Sequence, residues 1–122
     1  MVAMTGKLTT HVLDTAHGCP AAGLEIELWQ IDPLQAASLI KTVTTNSDGR
    51  TDSPLLADTD LKVGIYELRF AVNAYFKSKV SELPDPPFLE VVPIRFGIAD
   101  VSAHYHVPLL CSPWSYSTYR GS

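Results

Sequence analysis

Two cysteines are all that this 122-residue sequence holds. Cys19 beside a turn and Cys111 at a strand end are too few for a disulfide framework, and they lack the paired spacing of a zinc site. Neither has a basic neighbour in sequence to make a thiolate, so both are expected as free thiols with a packing role. Positive charge is scarce too: nine Lys and Arg against thirteen Asp and Glu leave a net charge of −4, with the signs interleaved and no basic run. That excludes nucleic acid and anionic membrane as expected partners and leaves a small molecule. No apolar run reaches the ~18 residues of a membrane span. Met1 to Lys7 has neither the basic start and apolar run of a secretory signal nor an Arg-rich amphipathic pattern, and the C-terminal Arg-Gly-Ser is not the Ser-Lys-Leu address. A cytoplasmic protein is expected. With no internal repeat and no low-complexity tract, the reading is one domain over residues 1–122, with 1–6 disordered. A chain of this length can bury roughly two thirds of the surface it exposes when unfolded.

What the sequence has is strand periodicity. Leu24-Glu25-Ile26-Glu27-Leu28 alternates apolar and charged residues, as do Tyr66 to Val72 and Val92 to Ile98, so each reads as a strand with one wet face. Lys7 to Asp14 and Leu39 to Thr45 add two more. Turn clusters separate them at Ala16 to Gly23, Asn46 to Gly49, Asp58 to Gly64, Pro84 to Pro87 and Asp100. The spacing predicts an all-β fold, an antiparallel β-sandwich with one short helix. That helix is expected over Asn73 to Val80, capped by Asn73, packed through Tyr75 and Phe76, and stopped before the stiff Pro84-Asp85-Pro86-Pro87 loop.

The last nineteen residues are the least ordinary. His104 to Cys111 suits a strand, Ser112-Pro113 a turn, and Trp114 to Tyr119 a second strand. Alternation puts His104 and His106 on one face with Pro108 and Leu110, and Tyr105, Val107, Leu109 and Cys111 on the other. Two imidazoles on one strand face could hold a metal, with His11 a third ligand if its strand lies alongside, but no carboxylate or cysteine clusters with them, so no metal is expected. His104 is expected to support its neighbour or an interface by hydrogen bonding. A lone His11 on the first strand, or a lone Arg50 after the Asn46-Ser47-Asp48-Gly49 turn, reads more readily as structural or solvated. As a functional group, Arg50 offers a planar cationic fork suited to the carbonyls and ring nitrogens of a flat polar ligand. Tyr119-Arg120-Gly121-Ser122 supplies an aromatic, a cation, a hinge and a hydroxyl directly after a strand.

Taken together, Leu8-Thr9-Thr10-His11-Val12-Leu13-Asp14 with Gly18-Cys19-Pro20-Ala21, the Asp48-Gly49-Arg50 turn, His104-Tyr105-His106-Val107-Pro108-Leu109-Leu110 and Tyr119-Arg120-Gly121-Ser122 resemble the 5-hydroxyisourate hydrolases, or transthyretin-related proteins. The resemblance runs in order from about Lys7 to Ser122, and its most specific part is the terminal tetrapeptide. It implies a transthyretin-like sandwich and a homotetramer, a dimer of dimers with active sites in the channel between dimers. It also implies hydrolytic opening of 5-hydroxyisourate toward 2-oxo-4-hydroxy-4-carboxy-5-ureidoimidazoline in urate degradation, without a cofactor. The family's catalytic positions carry over to His11, Arg50, His106 and Ser122, and substrate contacts to His11, Arg50, Tyr119, Arg120 and Gly121, with His104 supporting. Departures are Cys111 where a third leucine is usual, Ser115 where glycine is common, and Phe88-Leu89-Glu90 where a Phe-Phe-Pro or Phe-Tyr-Pro run is expected; they bear on packing.

Elementary chemistry agrees with that implication. Hydrolysing a cyclic acyl group needs a base for water, donors where oxyanion charge develops, and a group to orient the ring. A neutral imidazole, with a reference pKa of ~6.5, can take the proton, and a neighbouring guanidinium helps keep it neutral. His11 and His106 are both eligible as base, and spacing does not divide the roles. A serine nucleophile is not expected, since no oxyanion elbow accompanies any serine. The rival is a transthyretin-like small-ligand carrier without catalysis. A carrier of this fold has a lysine on the first strand and small or apolar residues near the end, where this sequence has His11, His106 and Tyr119.

Overall fold

The structure, a computed structural model, describes residues 6–34 and 36–121. Eleven strands and one helix follow in chain order: β1 (Lys7–Thr9), β2 (Val12–Asp14), β3 (Cys19–Pro20), β4 (Glu25–Ile31), β5 (Ser38–Thr44), β6 (Leu56–Ala57), β7 (Gly64–Phe70), α1 (Val72–Lys77), β8 (Val92–Ile98), β9 (His104–His106), β10 (Leu109–Cys111) and β11 (Tyr116–Thr118). One layer is the antiparallel sheet β5-β4-β7-β8; the other consists of two short sheets, β6-β1-β9 and β11-β10-β2-β3. Leu8, Val12 and Leu109 from the short sheets meet Ile26, Leu28, Leu68 and Phe70 from the long one in a single buried core. Each of these side chains, once fully buried, contributes about 1.5–3 kcal/mol of transfer free energy.

The expected strand over residues 7–14 is two strands, and so is the one from His104 to Cys111. The second layer is also mixed where an antiparallel arrangement was expected, because β1 runs parallel to β9 and β2 parallel to β10. Both breaks fall at one level, Thr10-His11 opposite Val107-Pro108, and the cause is local chemistry. Pro108 has no amide to give to a ladder, and the Val107 carbonyl accepts the hydroxyl of buried Thr10 at 2.7 Å. Regular rungs frame the break, from Val107 N–H to the Thr9 carbonyl and from Leu109 N–H to the His11 carbonyl, each 2.9 Å.

Elsewhere alternation held for β4 and β8 but missed Glu67 on β7. Glu67 is only 6% exposed, because its two carboxylate oxygens accept from Arg69 at 2.7 Å and Arg95 at 3.0 Å. Burial alone raises its pKa, yet the hydrogen bonds and charges of the two arginines outweigh that and hold it below the ordinary value. The helix is shorter than expected, ending at Lys77, and Ala71, not Asn73, precedes it without a side-chain cap. Asn73 instead gives its amide to the Glu90 carbonyl. Tyr75 and Phe76 are buried as expected. The Tyr75 hydroxyl donates at 2.8 Å to buried Asp14, which also accepts from the backbone and ring of His17, so one carboxylate pins the helix to the β2–β3 hairpin. Of the two free thiols, Cys111 is buried and packs as expected, but Cys19 is exposed. Of the stretch expected to be disordered, residues 1–5 lie outside the described residues, and Gly6 is buried: a Cβ there would come within 2.4 Å of the Ala103 and Val101 carbonyl oxygens.

Candidate functional site

Four separate parts of the chain converge beside the break in the short sheets. The parallel register sets Thr9 against His106 and Lys7 against His104, so both imidazoles of β9 lie along the face of β1 that carries Thr9. On the other side, His11 bridges Arg50 in an isolated antiparallel pair. The turn that delivers Arg50 is tightly built: Asn46 accepts the amides of Asp48 and Arg50 on its side-chain oxygen. Gly49 has φ +77°, and a Cβ there would stand 2.4 Å from the Val12 carbonyl oxygen, so only glycine brings the turn this close. A cavity of about 440 Å³ results, lined by Thr9, Thr10, Arg50, Thr51, Asp52, Ser53, Pro54, His104 and His106.

Hydrogen bonding divides the histidines by role. His11 has its Nε2 2.9 Å from the Asp48 carbonyl oxygen; a carbonyl only accepts, so this nitrogen carries the proton and is not the basic one. His106 is half-buried and uses Nδ1 on the Thr9 hydroxyl at 2.8 Å, leaving its Nε2 without a hydrogen-bond partner among the described residues. Burial first, then the charges of Arg50, His11 and His104, push its pKa below the ordinary histidine value, so His106 is a neutral base at pH 7. Arg50 is exposed and makes no ion pair among the described residues. His104, exposed, places its Nε2 3.1 Å from the same Thr9 hydroxyl. Among the described residues no group of three His, Cys, Asp or Glu is gathered as metal ligands would be; His11, considered above as a third ligand, is held by Asp48.

The tail closes the other flank. Gly121 donates its amide to the His106 carbonyl at 2.7 Å and pairs with His106 as an isolated bridge. A Cβ on Gly121 would lie 2.7 Å from His106 Cδ2, so the glycine backbone packs directly on the ring. Arg120 turns away from the cavity, its guanidinium 4.2 Å from the centre of the Tyr105 ring; in this chain it anchors the tail. Tyr119 is exposed and shares an open groove with His104, Arg120 and Gly121. Ser122 lies outside the described residues. The strand expected from Trp114 to Tyr119 is confined to β11.

The sequence reading passed over Thr9, which touches both imidazoles. Its only signal was membership of the Thr9-Thr10-His11 string, and a hydroxyl becomes informative only once the register with β9 is known.

A model of the HIUase/Transthyretin family matches residues 8–121. A protein of Rhizobium meliloti (strain 1021) named 5-hydroxyisourate hydrolase 2 is 59% identical over 118 residues, covering 97% of this chain and 98% of that one. The crystal structure of an (S)-allantoin synthase superposes with a TM-score of 0.91 at 48% identity, covering 97% of this chain but 44% of that longer one. Sea bream transthyretin in complex with thyroxine superposes with a TM-score of 0.84 at 27% identity, covering 94% of each chain.

Proposed function

From the membership of this chain in the HIUase/Transthyretin family, we infer that it is an enzyme that hydrolyses 5-hydroxyisourate to 2-oxo-4-hydroxy-4-carboxy-5-ureidoimidazoline in urate degradation. The observation that carries this reading is the half-buried His106, neutral at pH 7, whose Nε2 has no hydrogen-bond partner among the described residues and which lines, with Arg50, a cavity large enough for a small ring. Water placed at Nε2 gives up its proton to His106 as it attacks the ring carbonyl. Arg50 orients the planar substrate and stabilises the oxyanion that forms. His11 positions substrate from the far side, with Nδ1 available to it. Gly121 packs on the His106 ring and Tyr119 lines the neighbouring groove with His104; with Ser122, they are assigned to substrate contact. None of these steps calls for a cofactor.

The thyroxine complex of the sea bream neighbour keeps a carrier in view. Three polar, titratable or cationic side chains around one cavity favour the hydrolase. The direct test is whether freshly generated 5-hydroxyisourate disappears faster with the protein than without it; an unchanged rate rejects the hydrolase reading.

The same reading includes a cytoplasmic homotetramer, a dimer of dimers. In its support, β8 and β11 are open sheet edges, and Phe88, Trp114 and Tyr116 are exposed, a combination suited to association with another copy. The exposed free thiol of Cys19 fits a reducing compartment. Sedimentation should give a tetramer; a fully active monomer would reject the assembly.

The electrostatics make a further prediction. Because the pKa of His106 is depressed, its neutral form persists below pH 6.5, and activity should fall only in more acid solution. Arg50→Gln removes the guanidinium charge that contributes to that depression while leaving burial in place. Beyond its lower rate, this variant should therefore show an acid limb of kcat/KM moved up toward pH 6.5. An unmoved limb would mean that Arg50 binds substrate without tuning the base.

A further inference from the structure

The strongest unexplained feature is a single hydroxyl shared by two imidazoles. Thr9 Oγ1 lies 2.8 Å from His106 Nδ1 and 3.1 Å from His104 Nε2. A hydroxyl has one proton to donate and lone pairs to accept with. Thr9 can therefore donate to one ring nitrogen while it accepts an N–H from the other. Of the two arrangements in which it does both, one leaves His106 Nε2 as a lone pair. In it, Nδ1–H of His106 donates to Thr9 and the Thr9 proton points at His104 Nε2.

We propose that Thr9 is a positioning and relay residue, which fixes His106 in the tautomer with a basic Nε2 and passes its proton out to His104. The proposal rests on the hydrolase reading above and deepens it. As Nε2 of His106 takes a proton from the attacking water, its Nδ1 proton moves to the Thr9 oxygen, and the Thr9 proton moves to His104 Nε2. Counting the water, two O–H bonds and one N–H bond break, and two N–H bonds and one O–H bond form. Thr9 ends neutral, and the positive charge travels from His106 to His104. His106 is left with its proton on Nε2 and a bare Nδ1, and the relay runs back from His104 through Thr9 to Nδ1 as Nε2 gives its proton to the leaving ring nitrogen.

The direction follows from the surroundings of the two rings. His106 is half-buried and flanked by Arg50, His11 and the packed backbone of Gly121, all of which make an imidazolium costly there. His104 is exposed, so water solvates its charge and accepts its proton. Lys7 stands opposite His104 in the strand register, while Asp52 is the carboxylate in the cavity lining. The shuttle thus keeps the positive charge at the surface while His106 holds the proton taken from water.

Thr9→Val keeps the shape of the side chain and removes the hydroxyl, Thr9→Ser keeps the hydroxyl, and His104→Gln removes the acceptor. The expected loss in kcat is about 10²-fold for Thr9→Val, the low end of the range for disabling a general base, with KM changed much less. Thr9→Ser should restore most of the rate. Added imidazole buffer should raise the rates of Thr9→Val and His104→Gln but not of the parent protein. Independently of turnover, ring ¹⁵N spectra of the parent should show His106 protonated on Nδ1, with that preference lost in Thr9→Val. An unchanged kcat in Thr9→Val, a loss that Ser does not repair, or a parent His106 protonated on Nε2 would overturn the proposal. Should Thr9→Val fail to fold, Thr9→Ser, His104→Gln and the parent spectrum decide it. A parent that does not hydrolyse 5-hydroxyisourate rejects the function while the spectra still test the tautomer.

Discussion

Replacing His106 with asparagine is expected to lower the turnover of 5-hydroxyisourate by about 10²–10⁴-fold, the usual contribution of a general base, while the folded assembly persists. The substitution keeps a polar group near Thr9 but removes the nitrogen that faces the cavity. Stability should change little, because the ring is half-buried at the edge of the core and the bond from the Gly121 amide to the His106 carbonyl does not depend on the side chain. His11→Asn should fall less steeply, since its Nε2 is already committed to the Asp48 carbonyl. Steady-state rates and circular dichroism at matched concentration would check both. Equal losses that track unfolding would mean that these histidines hold the fold together and do not perform the chemistry.

Deletion of residues 119–122 should abolish turnover with little effect on melting. Residues 119–121 contribute no core side chain: Tyr119 is 60% exposed, and the Arg120 guanidinium lies over the face of Tyr105. A cation–π contact at an exposed site is worth about 0.5–1 kcal/mol, so the melting temperature should drop by only a few degrees. The site loses far more, because the Gly121 backbone packs against the His106 ring and its amide holds the His106 carbonyl. An affinity tag placed after Ser122 should impair turnover too, and one before Met1 should not. Equal rates for untagged, N-tagged, C-tagged and truncated proteins would show that the tail is not part of the site.

Legibility followed the range over which a residue finds its partners. β4 and β8 were readable because a strand with one buried face writes its environment into alternate residues, and Tyr75 and Phe76 marked the helix that they anchor. Glu67 defeated the same rule, because its partners Arg69 and Arg95 neutralise it from the same and the adjacent strand. The breaks at Thr10 and Pro108 were illegible for a stronger reason: the bond that shapes them joins residues 97 apart in sequence. Among the site residues, His11, Arg50 and His106 came from a resemblance in motif; the structure sets Arg50 and His106 around one cavity and places His11 next to Arg50 through a backbone bridge. Thr9 came only from the register between β1 and β9. Arg120 shows the converse, a motif residue whose guanidinium is engaged on an aromatic ring and not in the cavity.

The parallel pairing of β1 with β9 also bears on how the protein is made. During translation β1 and β2 leave the ribosome early, whereas their parallel partners β9 and β10 follow some 95 residues later. Until then β1 has only the two-residue β6, and β2 only the two-residue β3, as neighbours. The long sheet β5-β4-β7-β8 can assemble from antiparallel neighbours in the meantime, but one flank of each of those first two strands stays open. Long-range parallel pairing is slow and leaves such edges prone to association. The nascent chain therefore carries open edges at β1, which borders the cavity, and at the neighbouring β2, and residues 104–121 both cover those edges and complete the cavity.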